Sequence, residues 1–301
     1  MNSALTHHPS HSYTFTLLHL HTPTEEEPTT TASSQRKQTK PSITVGGMAI
    51  APGKRQRVDI PVARLPTQLP MSLPVTVVNG KHNGPTLWLS AAIHGDEING
   101  VEIIRRVLAT LSPRTLKGSL IAVPVVNIFG FIGQSRYLPD RRDLNRSFPG
   151  SSRGSLASIL ANLFMSEVVA NCTHGIDLHT AAIHRCNLPQ IRANLDDAET
   201  RACAEAFGAP LMIHAATRDG SLRQAAAQRG IPVLLYEAGE ALRFDTQSID
   251  TGVSGIRRVM SHLDMIALDD DYPPTTLSSE VRTTKWLRAS RGGLLHLDVT
   301  L

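Results

Sequence analysis

The chain has 301 residues, 41% of them apolar, and a formal net charge of +4. That length holds one large domain or two smaller ones with a real core, and no apolar run approaches the ~18 residues a membrane helix needs. The basic excess is spread thinly, without a Lys/Arg block and with only 4% aromatic residues, which disfavours nucleic-acid binding and leaves a mild bias towards anionic small molecules.

Residues 1–45 are rich in His, Thr, Ser, Pro and Glu and lack periodicity, which predicts a disordered tail. Arg36, Lys37 and Lys40 there are balanced by Glu25, Glu26 and Glu27. His7, His8, His11, His19 and His21 amount at most to weak metal contacts. No apolar block precedes a small-residue cleavage site, and Cys172, Cys186 and Cys203 are scattered without a C-x-x-C pair, so a cytoplasmic protein is expected. Segments 54–64 and 74–79 read as lead-in strands, with turns at Asn79-Gly80 and Asn83-Gly84.

From Thr86 onward the pattern alternates. It predicts strand 86–92, helix 97–111, strand 119–126, a polar loop over 127–153, helix 155–171 and strand 174–179. Helix 196–207, strand 210–214, helix 220–229, strand 232–237 and helix 246–267 follow. Such alternation implies an α/β fold, a mostly parallel mixed sheet with helices on both faces. After Pro273-Pro274 a new β-like segment begins near Val281. The expected division is a disordered tail over 1–45, an α/β domain over 46–273, and the start of a truncated C-terminal β domain over 274–301.

The first chemical signal is Ile93-His94-Gly95-Asp96-Glu97. It joins the apolar strand to a helix whose apolar face falls at 101, 103, 104, 107 and 108. Open α/β sheets place ligands where a strand ends and a helix begins, and a His-x-x-Glu pair can hold two corners of a zinc ion. The third ligand is expected at the end of another strand. His179 in Gly-Ile-Asp-Leu-His fits, with His184 and His174 as rivals. Asp177, two residues earlier and on the same strand face, suits a partner that orients the ligand. Asp96 is read as a supporting or turn-forming residue, because a fourth protein ligand would leave no open position for water.

A catalytic zinc also needs a base. Glu237 ends an apolar strand in Leu-Tyr-Glu-Ala-Gly-Glu, with Glu240 as the rival. The loop carrying Arg136, Arg141, Arg142, Asp143, Asn145 and Arg146 ends in Phe148-Pro149-Gly150, which would hold it in one shape. An Arg beside an Asn can clamp a carboxylate, and a further Arg can stabilise an oxyanion.

Five pieces together resemble the succinylglutamate desuccinylase/aspartoacylase family of the zinc carboxypeptidase superfamily. They are His-Gly-Asp-Glu (94–97), Arg-Asp-Leu-Asn-Arg-Ser-Phe-Pro-Gly (142–150), Ile-Asp-Leu-His-Thr (176–180), Asn-Leu-Pro-Gln-Ile-Arg (187–192) and Tyr-Glu-Ala-Gly-Glu (236–240). They occur in the family's order and span about residues 70–300. The resemblance implies a zinc carboxypeptidase-like fold and one zinc ion held by His94, Glu97 and His179. It implies Glu237 as general base and proton shuttle. It implies Arg136 near the scissile carbonyl, with Arg141 or Arg142 as alternates, and Asn145 and Arg146 on a substrate carboxylate. Two parts depart from the family pattern: the N-terminal tail, and a C-terminal β segment that matches only the first strands of the family's second domain.

The function so implied is a zinc-dependent hydrolase of linear amides. It would cleave a small N-acylated amino acid or related amine with metal-activated water. A metallocarboxypeptidase acting on short peptides is the alternative within the same chemistry, and a non-catalytic binding protein is the alternative outside it. The expected partner is a small anionic acylated substrate, not nucleic acid or a membrane. A homo-oligomer is compatible with the sequence.

Overall fold

The computed structural model describes residues 40–269, 272, 277–288 and 290–293. The histidines of the expected tail lie outside the described residues. The described chain is already in strand β1 (Ile43–Val45), which pairs antiparallel with β2 (Met48–Ile50). Two long strands follow, β3 (Lys54–Arg64) and β4 (Pro70–Asn79), the second starting earlier than its apolar core suggested. Then come β5 (His82–Ala91), α1 (Asn99–Thr110), β6 (Lys117–Val123) and α2 (Ile128–Ile132), the last a short helix inside the expected polar loop. Helix α3 (Leu156–Glu167) precedes β7 (His174–Ala181) and β8 (Asn187–Ala193). The order continues with α4 (Ala198–Phe207), β9 (Leu211–His214), α5 (Leu222–Ala227), β10 (Val233–Glu240), α6 (Thr246–His262) and β11 (Ser279–Val281).

Nine strands form one sheet in the order β11-β9-β8-β10-β7-β5-β6-β4-β3. Among the described residues five of its eight pairings are parallel, which makes the sheet mixed but mostly parallel. Helices cover both faces, as the alternation predicted. Leu87, Leu89, Ile176, Leu178 and Tyr236 point to the face packed by α1, α4 and α6. Trp88, Ile121, Val123 and Val233 point to the other, packed by α3 and α5. Period-two alternation in β5, β7 and β10 therefore feeds two cores, not one core and solvent. In α1 the predicted stripe is the packed one: Ile103, Ile104 and Val107 are buried, and Val101 and Leu108 pack beside them. Each fully buried side chain of this kind contributes about 1.5–3 kcal/mol. No helix among the described residues is long and apolar enough to cross a membrane.

Strand β8 is absent from the sequence reading. It lies inside the sheet, antiparallel to β10 and parallel to β9. Pro189 lacks a backbone donor and normally argues against an interior strand. Here its neighbours make that tolerable. Pairing with β9 begins only at Gln190, and the register to β10 shifts between Glu237 and Gly239, opposite Pro189. Further on, the described part of 274–301 contributes β11, which extends the same sheet by pairing parallel with β9.

Two glycines are set by close approach. A Cβ on Gly175 would lie 2.1 Å from the Trp88 indole, so the glycine makes room for the largest buried side chain. A Cβ on Gly95 would lie 2.0 Å from the backbone of Gly130 in α2. The 94–97 loop therefore rests directly on the α2 backbone. Gly95→Ala is expected to cost about 1–3 kcal/mol through forced backbone movement, read as a lower urea midpoint with an unchanged slope.

Candidate active site

The sheet register assembles the site. Asp177 of β7 stands opposite Leu235 of β10, which stands opposite Arg192 of β8; one row nearer the strand ends, His179, Glu237 and Gln190 line up in the same way. Residues two apart in a strand share a face, so both rows point to the α3 and α5 side. There they form one wall of a cleft of about 640 Å³. The loop after β5 brings in His94 and Glu97, and the loop after α2 brings in Arg136 and Asn145-Arg146.

His94 Nδ1 is 2.7 Å from Glu97 Oε1, and His179 Nδ1 is 2.7 Å from Glu97 Oε2. The Thr180 N–H also donates to Glu97 Oε2 at 3.2 Å. All three side chains are buried, and their candidate ligand atoms lie within 4.8 Å of one another. The far nitrogen of each ring faces a different carboxylate: His94 Nε2 is 3.1 Å from Asp143 Oδ1, and His179 Nε2 is 2.9 Å from Asp177 Oδ2. Asp177 is held in turn by the Ser90 hydroxyl at 2.7 Å, across the β5–β7 pairing.

With a carboxylate at both nitrogens, each imidazole in the metal-free chain is drawn to the doubly protonated form. Burial opposes this, but the Glu97 charge and the Asp143 hydrogen bond raise the His94 pKa, and the Asp177 and Glu97 charges raise that of His179 well above the usual value. Burial likewise works against ionised Glu97, but the two histidines overcome it and bring its pKa down to about 2. A histidine whose folded pKa is raised contributes stability below its unfolded value near 6.5, and that contribution is lost as pH rises through the folded value. The metal-free protein is therefore expected to lose thermal stability as pH rises above about 6.5, at roughly 2–4 °C per kcal/mol. Differential scanning calorimetry across pH 6–9 checks this, and a flat or rising midpoint contradicts it.

The remaining expected residues are found as follows. Glu237 Oε2 accepts from Asn187 Nδ2 at 2.7 Å and lies 3.8 Å from Arg192 Nη1. Glu240 is engaged elsewhere, by the His184 N–H at 2.9 Å and Arg243 at 3.3 Å. Arg136 reaches Glu97 Oε1 at 3.3 Å and Asp143 Oδ2 at 3.1 Å, whereas Arg141 and Arg142 are exposed. Asn145 Oδ1 accepts from the Leu222 N–H at 2.9 Å, which commits its oxygen and leaves its amide donors for the cleft. Leu144 and Phe148 are buried in the core against α3, and they pin this arginine-bearing loop. His184 is exposed, and His174 sits at the opposite end of β7 beside Glu199. Asp96 is buried with Oδ1 unpartnered; its carbonyl accepts from the Leu242 N–H at 2.8 Å, which fits the turn-forming reading.

Sequence reasoning missed Asp143 as the partner of His94 and Arg136. Its only signal was the Asp-Leu-Asn turn, in which it also accepts from the Asn145 N–H at 2.8 Å. Asn187 and Arg192, quoted only as part of the 187–192 piece, and Arg218 and Arg223 were given no role: the strand β8 that carries the first two was not read as a strand, and the sequence did not show that Arg218, after β9, and Arg223, in the expected helix 220–229, line the cleft.

The catalytic-domain model of the succinylglutamate desuccinylase/aspartoacylase family matches residues 83–263. The chain belongs to this family. Among named relatives, the N-alpha-acetyl-L-2,4-diaminobutyric acid deacetylase of Halomonas elongata is 28% identical over 239 residues, covering 76% of this chain and 70% of that protein. The succinylglutamate desuccinylase of Pseudomonas aeruginosa is 32% identical over 123 residues, about a third of either chain (36% and 35%). The solved structure of a succinylglutamate desuccinylase/aspartoacylase from Rhodobacter sphaeroides is 28% identical, with a TM-score of 0.69 over 77% of this chain and 73% of that one. Those two relatives are named for removing an acetyl or a succinyl group, and this chain carries a cluster of candidate metal ligands, His94, Glu97 and His179, at the expected place.

Proposed function

We propose that the chain is a zinc-dependent deacylase that hydrolyses the amide bond of a small N-acylated amino acid or related amine. The observation that carries this reading is the paired orientation of His94 and His179. Each turns Nδ1 to Glu97 and Nε2 to a carboxylate of its own. That is how metal-bound histidines are oriented by outer carboxylates. A divalent cation taking the place of the two Nδ1 protons leaves the net charge of the cluster unchanged. Two imidazoles and one carboxylate also form the ligand set of a catalytic zinc with an open position.

Zinc held there would supply Lewis acidity to the acyl carbonyl and lower the pKa of water. Glu237 takes a proton from the attacking water at Oε1, the oxygen that Asn187 does not hold, and returns it to the leaving amine. The Arg136 guanidinium, steadied by Asp143, donates to the oxyanion as it forms. Asn145 Nδ2 and Arg146 hold the substrate carboxylate. The free cysteines fit a reducing cytoplasm.

Metal analysis of the purified chain, coupled to hydrolysis assays over acetyl- and succinyl-amino acids and dipeptides, tests the reading. One zinc per chain with release of amino acid from acyl-amides supports it. Cleavage of dipeptides alone transfers the chain to the carboxypeptidase reading, and full zinc without any hydrolysis to the binding-protein reading.

A further inference from the structure

Among the described residues a second group of candidate metal ligands lies away from the cleft: His174, Glu199 and Cys203, whose ligand atoms fall within 4.8 Å of one another. His174 opens β7, and Glu199 and Cys203 belong to α4. Ile176 and Leu178 of β7 face the core that holds Cys203. His174 shares their side of the strand, opposite to Asp177 and His179. Glu199 and Cys203 are four apart and share one side of the helix. His174 and His179 stand about 16 Å apart along the strand, at roughly 3.3 Å per residue, too far to hold one ion.

The surroundings fix how His174 presents its nitrogens. The Thr173 hydroxyl accepts from the Thr86 N–H at 3.1 Å and donates its single proton to the Thr86 carbonyl at 3.1 Å. Its remaining lone pair lies 2.8 Å from His174 Nδ1, which is therefore the nitrogen that carries a proton. In the neutral ring the Nε2 lone pair then faces Glu199 Oε1, 3.2 Å away. Two acceptors so placed need a cation between them, either a proton or a metal ion. Cys203 is buried, and burial first, then the charges of Glu199 and Asp197, push its thiol up to about 12. A metal ion arriving at the sulfur displaces that proton to solvent.

We propose that His174, Glu199 and Cys203 form a second metal site, for zinc or a similarly thiophilic divalent ion, which ties α4 to the start of β7. The site uses no residue of the deacylase reading and stands without it. A neutral imidazole, a carboxylate and a thiolate carry two negative charges, which balance a divalent ion. Nitrogen, sulfur and oxygen together favour zinc over magnesium or calcium. Zinc bonds of about 2.0–2.3 Å draw the three atoms closer, and Glu199, with a side chain 53% exposed, has room to move. Water completes the coordination. Binding is weaker than at a fully buried cluster, because Glu199 is shared with solvent and Cys203 has to lose its proton.

Cobalt(II), a spectroscopic stand-in for zinc, tests this through the sulfur. The cluster of His94, Glu97 and His179 contains no sulfur, so a near-ultraviolet thiolate-to-cobalt charge-transfer band cannot arise there. In the metal-free full chain titrated with cobalt(II), the band is expected to appear and to saturate at one thiolate-bound ion per chain. Excess zinc is expected to bleach it. Cys203→Ser abolishes the band, whereas Cys186→Ser, at an exposed position, keeps it. His174→Gln and Glu199→Gln leave the buried thiol in place and weaken the band-forming ion by about 10–100-fold or more, since even a lost outer partner costs that much. No band in the wild type overturns the proposal and leaves an ion pair beside a buried thiol. A band that survives Cys203→Ser overturns it too, as does unchanged affinity in both His174→Gln and Glu199→Gln. The readout needs no turnover. A chain that shows the band but hydrolyses no acyl-amide upholds this site while the deacylase reading fails, and hydrolysis without the band does the reverse.

Discussion

Glu237→Gln is expected to lower kcat by about two to four orders of magnitude, the range for loss of a positioned general base, while zinc stays at wild-type stoichiometry. The substitution keeps the shape of the side chain, and its amide oxygen can still accept from Asn187 Nδ2, which holds Glu237 Oε2 at 2.7 Å. Only basicity is lost. Glu237 lies outside the cluster formed by His94, Glu97 and His179, so metal content has no reason to change. Single-turnover hydrolysis and metal analysis on one preparation separate the two effects. Turnover within tenfold of wild type would remove Glu237 from the role of base and return attention to Glu240, although Glu240 is tied to the His184 N–H and Arg243.

His179→Ala is expected to cut zinc retention by orders of magnitude and to destabilise the chain as well. One of three ligands disappears, and the buried Asp177 keeps only the Ser90 hydroxyl. An ionised carboxylate stripped of its main buried partner costs about 3–5 kcal/mol when it stays charged. Asp177→Asn in the same background relieves that second cost without restoring the ligand. A recovered midpoint with no recovered zinc would therefore separate support from ligation. His184→Ala, at an exposed position, is expected to keep its zinc. Full zinc in His179→Ala together with loss in His184→Ala would reassign the third ligand.

Much of this arrangement was legible in the sequence where a residue's role follows from its own strand. The apolar run 86–92 and the stripe at 101, 103, 104, 107 and 108 located β5, α1 and the loop between them. Alternation ending in His179 placed Asp177 on the same face, and the structure finds them in contact at 2.9 Å. What stayed hidden depends on which strands are neighbours. The β8 segment carries a proline and polar residues, so its pattern did not read as a strand. Its insertion between β9 and β10 is a matter of sheet order that periodicity cannot express. Asn187 and Arg192 ride on that strand, and Arg218 and Arg223 come from the elements beside it. Asp143 was hidden for another reason: a side chain that caps a turn and also supports a histidine looks from the sequence like a cap alone.

The two tryptophans of the chain stand in opposite surroundings. Trp88 is fully buried against Gly175, in the strand two residues before Asp177, and Trp286 is 76% exposed on the cleft rim, with the Arg185 guanidinium 5.7 Å from its ring. The protein thus carries two native optical reporters that can be told apart without labelling. Emission from Trp88 is shielded from acrylamide and follows the integrity of the sheet, while emission from Trp286 is red-shifted and quenchable. A molecule settling into the cleft would change the quenchable fraction alone, so ligand occupancy and unfolding can be followed separately in one cuvette.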